Sequence, residues 1–170
     1  TVLHSHLLSV YNCASLHCTM PVSFEKNTAH SIESFRRVLF GEKISYQVSS
    51  HEKNRTGNSA GIFCGGNLSL LQNLSGTNSD FNTDGKILFI EDIDEYLYHF
   101  DRMIQWLKRS GKLENLAALV VGFTINGYTM GALQQCNKSA LYPQIPFKTK
   151  LKYTEHPYPL DLSLFGNPCY

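Results

Sequence analysis

A short apolar segment that ends in two carboxylates is the feature of this chain that most restricts its fold. Ile87 to Ile90 forms the apolar run, and Glu91 and Asp92 follow it directly. From Asp94 to Ser110, apolar residues recur with the i, i+3, i+4, i+7 spacing of a helix. Leu116 to Gly122 is again almost wholly apolar, as parallel strands tend to be. This order predicts a parallel α/β unit, in which the carboxyl ends of the strands display reacting groups.

The residues just before this unit predict one more strand and one more helix. Ile62 to Cys64 is a short apolar strand candidate, and Gly65-Gly66 is expected to turn the chain where a side chain would obstruct it. Asn67 to Leu74 begins a predicted helix, whose leucines at 68, 70, 71 and 74 are expected to point inward. Strands and helices therefore alternate, which is typical of α/β folds.

Residues 1–50 are predicted to form a separate unit. Helical spacing is found from Val2 to Tyr11 and from Ser31 to Leu39, while Ser15 to His17 and Ile44 to Val48 are strand candidates. The polar stretch that follows is rich in Gly and Asn, so residues 51–60 are predicted to be a linker. A second domain is then predicted from 61 to 170.

Charge and composition exclude several functional classes. The net charge is +1 and no run of Lys and Arg exceeds two residues, which argues against a nucleic-acid partner. No segment approaches the ~20 apolar residues that cross a bilayer, so no membrane partner is expected. The sequence contains neither a phosphate-binding loop nor a His-Glu-Xaa-Xaa-His motif, so neither a metal nor another cofactor is expected.

The cysteines indicate a reducing compartment. There are five of them, an odd number, and no two form a Cys-Xaa-Xaa-Cys pair. A cytoplasmic location is therefore predicted. Cys13, His17 and Cys18 are close enough in sequence to suggest a metal clip, but apolar thiols packed in a helix end and a strand are the simpler interpretation.

Two strings of residues carry a resemblance to a known peptidase family. Gly-Gly-Asn-Leu-Ser-Leu-Leu at 65–71 and Ile-Leu-Phe-Ile-Glu-Asp at 87–92 together resemble the LD-carboxypeptidases. These are serine peptidases with a Ser-Glu-His triad, among them muramoyl-tetrapeptide carboxypeptidases and microcin-immunity peptidases. Residues 17–28 resemble the family's His-Gly-Pro-Met segment and its continuation, 35–41 the next helix, and 94–113 the helix after the glutamate. The resemblance runs from about Thr1 to Thr124.

The resemblance implies a two-part α/β fold. A C-terminal domain of the swivelling β/α type would follow the tail of a Rossmann-like N-terminal domain. In the family, the nucleophilic serine lies in a Gly-Xaa-Ser-Asp-Xaa-Thr turn that opens a helix, and Thr1 resembles the last residue of that turn. The chain is therefore expected to be a fragment that lacks the N-terminal domain and the nucleophile, with a truncated C-terminal domain.

The resemblance also assigns roles to residues of the two strings. Glu91 would be the glutamate of the triad. From the residues alone, Glu91 could instead favour the dipole of the helix that follows, and Asp92 is expected to cap that helix. Gly65, Gly66 and Asn67 match the family string without change. They would approach the substrate, or they would form only a structural turn.

The histidine of the triad has two possible placements. His156 precedes Gly166 by ten residues, roughly as the family's histidine precedes a late glycine. Alternatively, Ile-Pro-Phe-Lys-Thr at 145–149 resembles a family segment that opens a helix well before the histidine. On this second placement, which we favour, His156 ends that helix and the catalytic histidine falls near Pro168 or beyond Tyr170. Residues 125–144 do not resemble the family's loop.

The implied parent activity is the removal of terminal D-alanine from murein tetrapeptides in cell-wall recycling, by acyl transfer through a serine ester. A murein peptide or a related peptide would be the partner, no cofactor is implied, and family members resemble homodimers. Cys18 and Thr19 stand where the family has Gly-Pro, and the serine is expected outside the chain. The alternative is therefore a non-catalytic remnant or a binding module with the family fold, and an unrelated α/β interaction domain is a third hypothesis.

Overall fold

The computed structural model describes residues 1–46, 57–93, 95–125 and 151–153. Its helices are α1 (Val2–Tyr11), α2 (Ala29–Leu39), α3 (Leu68–Asn73) and α4 (Leu97–Arg109), with a 3-10 helix at Pro21–Lys26. Its strands are β1 (Phe63–Asn67), β2 (Ile87–Ile93), β3 (Ala118–Ile125) and β4 (Leu151–Tyr153). Within these ranges, no helix is long and apolar enough to cross a membrane.

The four strands form one parallel sheet in the order β1-β2-β3-β4. Helix α3 lies between β1 and β2 in the chain, and α4 lies between β2 and β3, so the predicted α/β fold is confirmed. Because all strands run the same way, their carboxyl ends share one edge of the sheet. At that edge Asn67 of β1 is the register partner of Glu91 of β2.

The core lies between the sheet and helices α3 and α4. Apolar side chains from β2, β3 and both helices fill it, because each of these elements presents an apolar stripe to the others. The core includes buried leucines, an isoleucine, a phenylalanine and a methionine (Leu68, Leu71, Leu88, Ile90, Phe100, Met103, Leu107 and Leu119). The expectation for Leu70 was wrong: it is 42% exposed, since it lies on the outer face of the short helix α3.

Helix α1 packs against this unit from the amino-terminal part of the chain. It has the predicted bounds, Val2–Tyr11, and ends at Asn12 in the left-handed conformation with φ +47°. Leu8 packs against the core, the His6 Nδ1 lies 2.9 Å from the Ser79 hydroxyl, and the Ser9 hydroxyl donates to the Asn78 carbonyl at 2.7 Å. The predicted linker at 51–60 lies largely outside the described residues, so the domain boundary stays a prediction.

Gly65 and Gly66 lie within strand β1 and do not form the sharp turn that the sequence suggested. Their φ angles are +127° and +142°, a region that L side chains rarely adopt. A Cβ at Gly65 would overlap the carbonyl oxygen of Phe89 on the neighbouring strand. Glycine is therefore needed here for the close approach of β1 to β2.

Other predicted boundaries also differ from the structure. Strand β2 continues beyond Ile90 to Ile93, so Glu91 and Asp92 lie inside the strand, and α4 begins at Leu97 and not at residue 94. The strand predicted at 15–17 is absent, because this part of the described chain makes no ladder with a neighbour. Ile44 to Tyr46, the described part of the other strand candidate, is likewise not a strand.

Candidate functional site

Glu91 lies near the carboxyl end of β2, between the two strands that flank it. On one side, Asn67 of β1 is its register partner. On the other side, the pairing of β2 with β3 shifts register between the pairs Ile90–Val121 and Asp92–Thr124. Bulges of this kind re-aim side chains and are frequent next to active sites. A Cβ at Gly122 would lie 3.1 Å from the Glu91 Cβ and 2.8 Å from the Phe89 Cζ, so a side chain there would crowd both residues.

The Glu91 carboxyl is half-buried, and its surroundings favour the neutral form. Desolvation by burial raises the pKa of Glu91 above the ordinary value of 4.5, and the neighbouring charge of Asp92 raises it further. A hydrogen bond from the Asn67 side chain acts in the opposite direction and lowers this pKa. A carboxyl of raised pKa at the edge of a sheet is a candidate for a functional group.

Asp92 has a structural role that the sequence did not indicate. It is only 2% exposed, and its carboxylate accepts hydrogen bonds from the Asn67 side-chain amide at 2.8 Å and from the backbone N–H groups of Ser69 and Ile93, each at 2.9 Å. Asp92 therefore caps α3, the helix before its own strand, and not the following helix as predicted. It acts on the same helix end as Asn67.

Asn67 connects β1, β2 and α3 through its side-chain amide. Its Oδ1 accepts from the backbone N–H of Leu70 at 3.1 Å and from the Ser69 hydroxyl at 2.8 Å, while its Nδ2 donates to Asp92. The amide is thus held in one orientation by partners on both sides. The family resemblance made Gly65, Gly66 and Asn67 candidates for substrate binding and Glu91 the candidate acid, and in the structure these residues lie together at the paired ends of β1 and β2.

The amino-terminal end of α1 lies against the same point of the sheet. The backbone N–H of Asn67 donates to the Thr1 Oγ1 at 3.0 Å. A Cβ at Gly66 would lie only 2.6 Å from the same Thr1 oxygen, so glycine leaves the room for this contact. Thr1 is therefore positioned beside the ends of β1 and β2.

A cavity of about 70 Å³ opens between α1, the segment after it and strand β1. The rings of His4 and His17 lie 4.9 Å apart there, and the His4 Nδ1 is 2.8 Å from the Ser15 hydroxyl. Burial lowers the pKa of both imidazoles, since desolvation disfavours the charged ring. The sequence singled out His17 but missed its pairing with His4, because no spacing rule relates a helix residue to a later loop.

The remaining site predictions have mixed outcomes. Across the described ranges, no three His, Cys, Asp or Glu side chains are grouped so that they could hold a metal ion, which disfavours the clip of Cys13, His17 and Cys18. His156 lies outside the described residues, so the placement of the triad's histidine stays a prediction.

Comparison with known proteins identifies the family. The sequence profile of the LD-carboxypeptidase C-terminal domain matches residues 60–158, which is more than half of the chain. The chain belongs to the LD-carboxypeptidase family. It is 51% identical over 65 residues to a protein of Bacillus subtilis (strain 168) named as a murein peptide carboxypeptidase, a match that covers 38% of this chain and 20% of that protein. It is 31% identical over 126 residues to a protein of Streptomyces coelicolor named as a carboxypeptidase, covering 72% of this chain and 40% of that protein.

Solved structures agree with this assignment. The muramoyltetrapeptide carboxypeptidase of Oxalobacter formigenes superposes with a TM-score of 0.71 at 25% identity, covering 89% of this chain and 53% of that one. A microcin C7 self-immunity protein has a TM-score of 0.61 at 13% identity, which shows the shared fold alone. The chain spans from a fifth to two fifths of the length of the curated relatives cited here, and about half the length of the solved structures.

Proposed function

We propose that Glu91 is the acid of a Ser-Glu-His triad in an LD-carboxypeptidase that removes terminal D-alanine from murein tetrapeptides. One observation carries the proposal: the Thr1 side chain is hydrogen-bonded to the backbone of Asn67, the register partner of Glu91. Thr1 resembles the last residue of the family's serine turn. This contact supports the proposal, because a serine turn that ended at Thr1 would lie at the same edge of the sheet as Glu91.

The chemistry assigned to Glu91 is that of an orienting acid. In a serine triad the carboxylate accepts a hydrogen bond from the imidazole, fixes its tautomer and stabilises the imidazolium that forms when the serine gives up its proton. The partly desolvated position of Glu91 strengthens such an interaction, because a lower dielectric screens the charges less. The reaction proceeds by acyl transfer to the serine and hydrolysis of the ester.

Gly65, Gly66 and Asn67 are proposed to border the substrate. The two glycines let Phe89 and Thr1 approach the backbone of β1 closely at the edge where Glu91 lies, and the Asn67 amide is fixed by Asp92 and by the first turn of α3. A fixed amide at a strand end beside Glu91 can bind the polar groups of a peptide in one geometry. The peptide partner named by the relatives, murein, suits this description.

The finer aspects of this function belong to the same proposal. We place the reaction in the recycling of cell-wall peptides in the cytoplasm, in a homodimer and without a cofactor. The division of the chain into a first unit at 1–50, a linker at 51–60 and a second domain at 61–170 is also part of the proposal. The competing hypothesis is a non-catalytic remnant or binding module, which is favoured by Cys18 and Thr19 at the positions of the family's Gly-Pro.

Glu91→Gln tests the proposal in a polypeptide extended upstream so that Thr1 completes a Gly-Xaa-Ser-Asp-Xaa-Thr turn. Release of D-alanine from a murein tetrapeptide should fall about a hundredfold or more, as expected when the orienting acid of a triad is lost, with an unchanged circular dichroism spectrum. Glu114→Gln, the same change at an exposed residue, is the control and should leave turnover as it was.

Near-normal turnover of the Glu91→Gln protein would refute the assignment of the acid. Absence of D-alanine release from the extended parent polypeptide would favour the binding-module hypothesis. His156→Gln in the same polypeptide separates the two placements of the histidine. A loss comparable to that of Glu91→Gln would identify His156 as the triad's base, and normal turnover would place that base elsewhere in the protein.

A further inference from the structure

The first turn of α1 is attached to two different parts of the protein. On one side, the backbone N–H of Asn67 donates to the Thr1 Oγ1 at 3.0 Å, which fixes the beginning of the helix to the end of β1. On the other side, the His4 Nδ1 lies 2.8 Å from the hydroxyl of Ser15, in the segment that follows α1. The chain leaves α1 through Asn12 in the left-handed conformation, and the contact of Ser15 with His4 shows that the segment returns along the helix. The first turn therefore lies between β1 and the returning segment.

His4 and His17 form an imidazole pair between the helix and this segment. Their ring centroids are 4.9 Å apart, and the ring planes are inclined by 34°. Ser5, the next residue of the turn, gives no such anchor. Its side chain is 2% exposed, and its hydroxyl has no hydrogen-bond partner in the described part of the chain. His4 therefore ties the first turn of α1 to the segment that contains His17.

The pair faces a cavity whose walls do not compensate a charge. This is the cavity of about 70 Å³ beneath α1, and its apolar wall consists of a leucine and three phenylalanines (Leu8, Phe63, Phe81 and Phe89). None of the described residues that line it is Asp, Glu, Lys or Arg. A charge that leaves water for such surroundings costs free energy unless a partner of opposite charge is present. Both rings are therefore favoured in the neutral form.

The other titratable groups around the pair do not reverse this preference. The thiols of Cys13 and Cys64 line the same cavity, and the Thr1 amino group lies close enough to act on both rings. Desolvation lowers the pKa of both imidazoles, and the positive charge of the amino group lowers it further. Glu91 acts on the same amino group, but burial outweighs its effect and lowers the pKa of that group as well.

We propose that His4 and His17 are positioning residues, which hold the first turn of α1, and with it Thr1, against Asn67 only while both rings are neutral. Protonation of one ring places a charge in the apolar cavity, and protonation of both brings two like charges together. When the turn opens, the rings return to water and to the ordinary pKa of 6.5. The contact is therefore kept above pH 6.5 and is lost progressively as pH falls below that value. The consequence for catalysis rests on the proposed function, since a serine turn that ended at Thr1 would move with this contact.

Hydrogen exchange of the Asn67 amide, followed by NMR on the 170-residue chain, measures the contact without turnover. The chain is prepared with an acetylated amino terminus, so that the Thr1 amino group does not titrate. After correction for the intrinsic exchange rate, protection of the Asn67 amide should fall at least about tenfold between about pH 7.5 and pH 5, since one unit of pKa difference is a factor of ten. The amide of Leu88, in the core, reports global unfolding in the same spectra and should change less.

His4→Asn combined with His17→Gln removes both titrations and keeps a polar side chain at each position. This double variant should show equal protection of the Asn67 amide at both pH values, and each single change should leave a smaller pH response than that of the parent. His6→Asn is the matched control. The His6 Nδ1 is likewise 2.9 Å from a serine hydroxyl, that of Ser79, but its ring lies against Tyr11 and not against a second imidazole. His6→Asn should keep the full response.

Several outcomes would overturn the inference. A change of less than about twofold in the protection of Asn67 would do so, and so would a pH response that survives in the double variant. Loss of protection in parallel with Leu88 would show that the pair stabilises the whole fold and positions nothing locally. Loss of the response in His6→Asn would assign it to the contact of His6 with Ser79.

The test remains decisive if the double variant does not fold, because the two single changes then carry it. A pH response as large as that of the parent in both single variants would refute the role of the pair. None of these measurements depends on D-alanine release. A protein that releases no D-alanine but shows the expected exchange would refute the proposed function and leave the inference in place.

Discussion

The buried carboxylate of Asp92 offers a quantitative test of how the site is held together. This carboxylate accepts three hydrogen bonds, from the Asn67 side-chain amide and from the backbone N–H groups of Ser69 and Ile93. In Asp92→Asn only one side-chain oxygen remains, so the new amide must face at least one of these donors. A buried hydrogen bond to a charged group contributes about 1.5–3 kcal/mol, and the donor that loses it is left unsatisfied. We expect a loss of about 2–3 kcal/mol in the free energy of unfolding.

Thermal unfolding measures this loss. For a domain of this size, 1 kcal/mol shifts Tm by about 2–4 °C, so Asp92→Asn should lower Tm by roughly 4–12 °C. Asp84→Asn is the matched control, because Asp84 is exposed in a turn, where such a change alters stability by no more than about 0.5 kcal/mol. If the two variants melted within a degree of each other, the Asp92 network would not be what fixes α3 to β2, and our account of Asn67 would be wrong.

Two further changes probe the strands at the site. Gly65→Ala should destabilise the protein by about 3 kcal/mol or more, measured as a shift of the urea midpoint, because its Cβ would overlap the Phe89 carbonyl oxygen. Gly76→Ala, which also has a positive φ but open space around it, should cost only about 1 kcal/mol, and equal costs would refute the steric argument. Glu91→Gln should stabilise the fold at pH 7. The pKa of Glu91 is raised in the folded protein, so the ionisation of Glu91 lowers the free energy of unfolding as pH rises from 4.5 through that pKa, and glutamine does not ionise. The gain should vanish in urea titrations below pH 4, where Glu91 is protonated in both states, and a gain that is independent of pH would contradict the assigned cause.

The sequence predicted those elements whose signal is local. The bounds of α1 agree with its periodicity, and the succession of β1, α3, β2, α4 and β3 follows from alternating apolar runs and helical spacing. The predicted end of β2 at Ile90 was wrong, because acidic residues are rare inside strands and the pair at 91 and 92 therefore predicts a strand end. In the fold, Asp92 is tolerated there because three hydrogen-bond donors surround it.

Contacts between distant residues were beyond the reach of local patterns. Gly65 and Gly66 predict a turn because glycines with positive φ are most common in turns. In the structure they lie in β1, and the close approach of Phe89 on the next strand requires glycine at position 65. The bond between Asn67 and Asp92 joins residues 25 positions apart, and it depends on the register of two parallel strands. Only the resemblance to a family placed Asn67 and Glu91 in one site, since neither spacing nor composition relates them.

The alternation of side chains along β2 explains how two adjacent carboxylates acquire different roles. Successive residues of a strand point to opposite faces of the sheet, so Ile90 and Asp92 share one face while Phe89 and Glu91 share the other. Ile90 is in the core with α3 and α4, and Asp92 on that face bonds to the first turn of α3. Phe89 lines the cavity beneath α1, so Glu91 is directed to the side on which the amino-terminal end of α1 lies. The Asp92 carboxylate therefore uses its acceptor capacity in hydrogen bonds that hold the fold together. The Glu91 carboxylate retains acceptor capacity on the face where the histidine and serine of the proposed triad would have to lie.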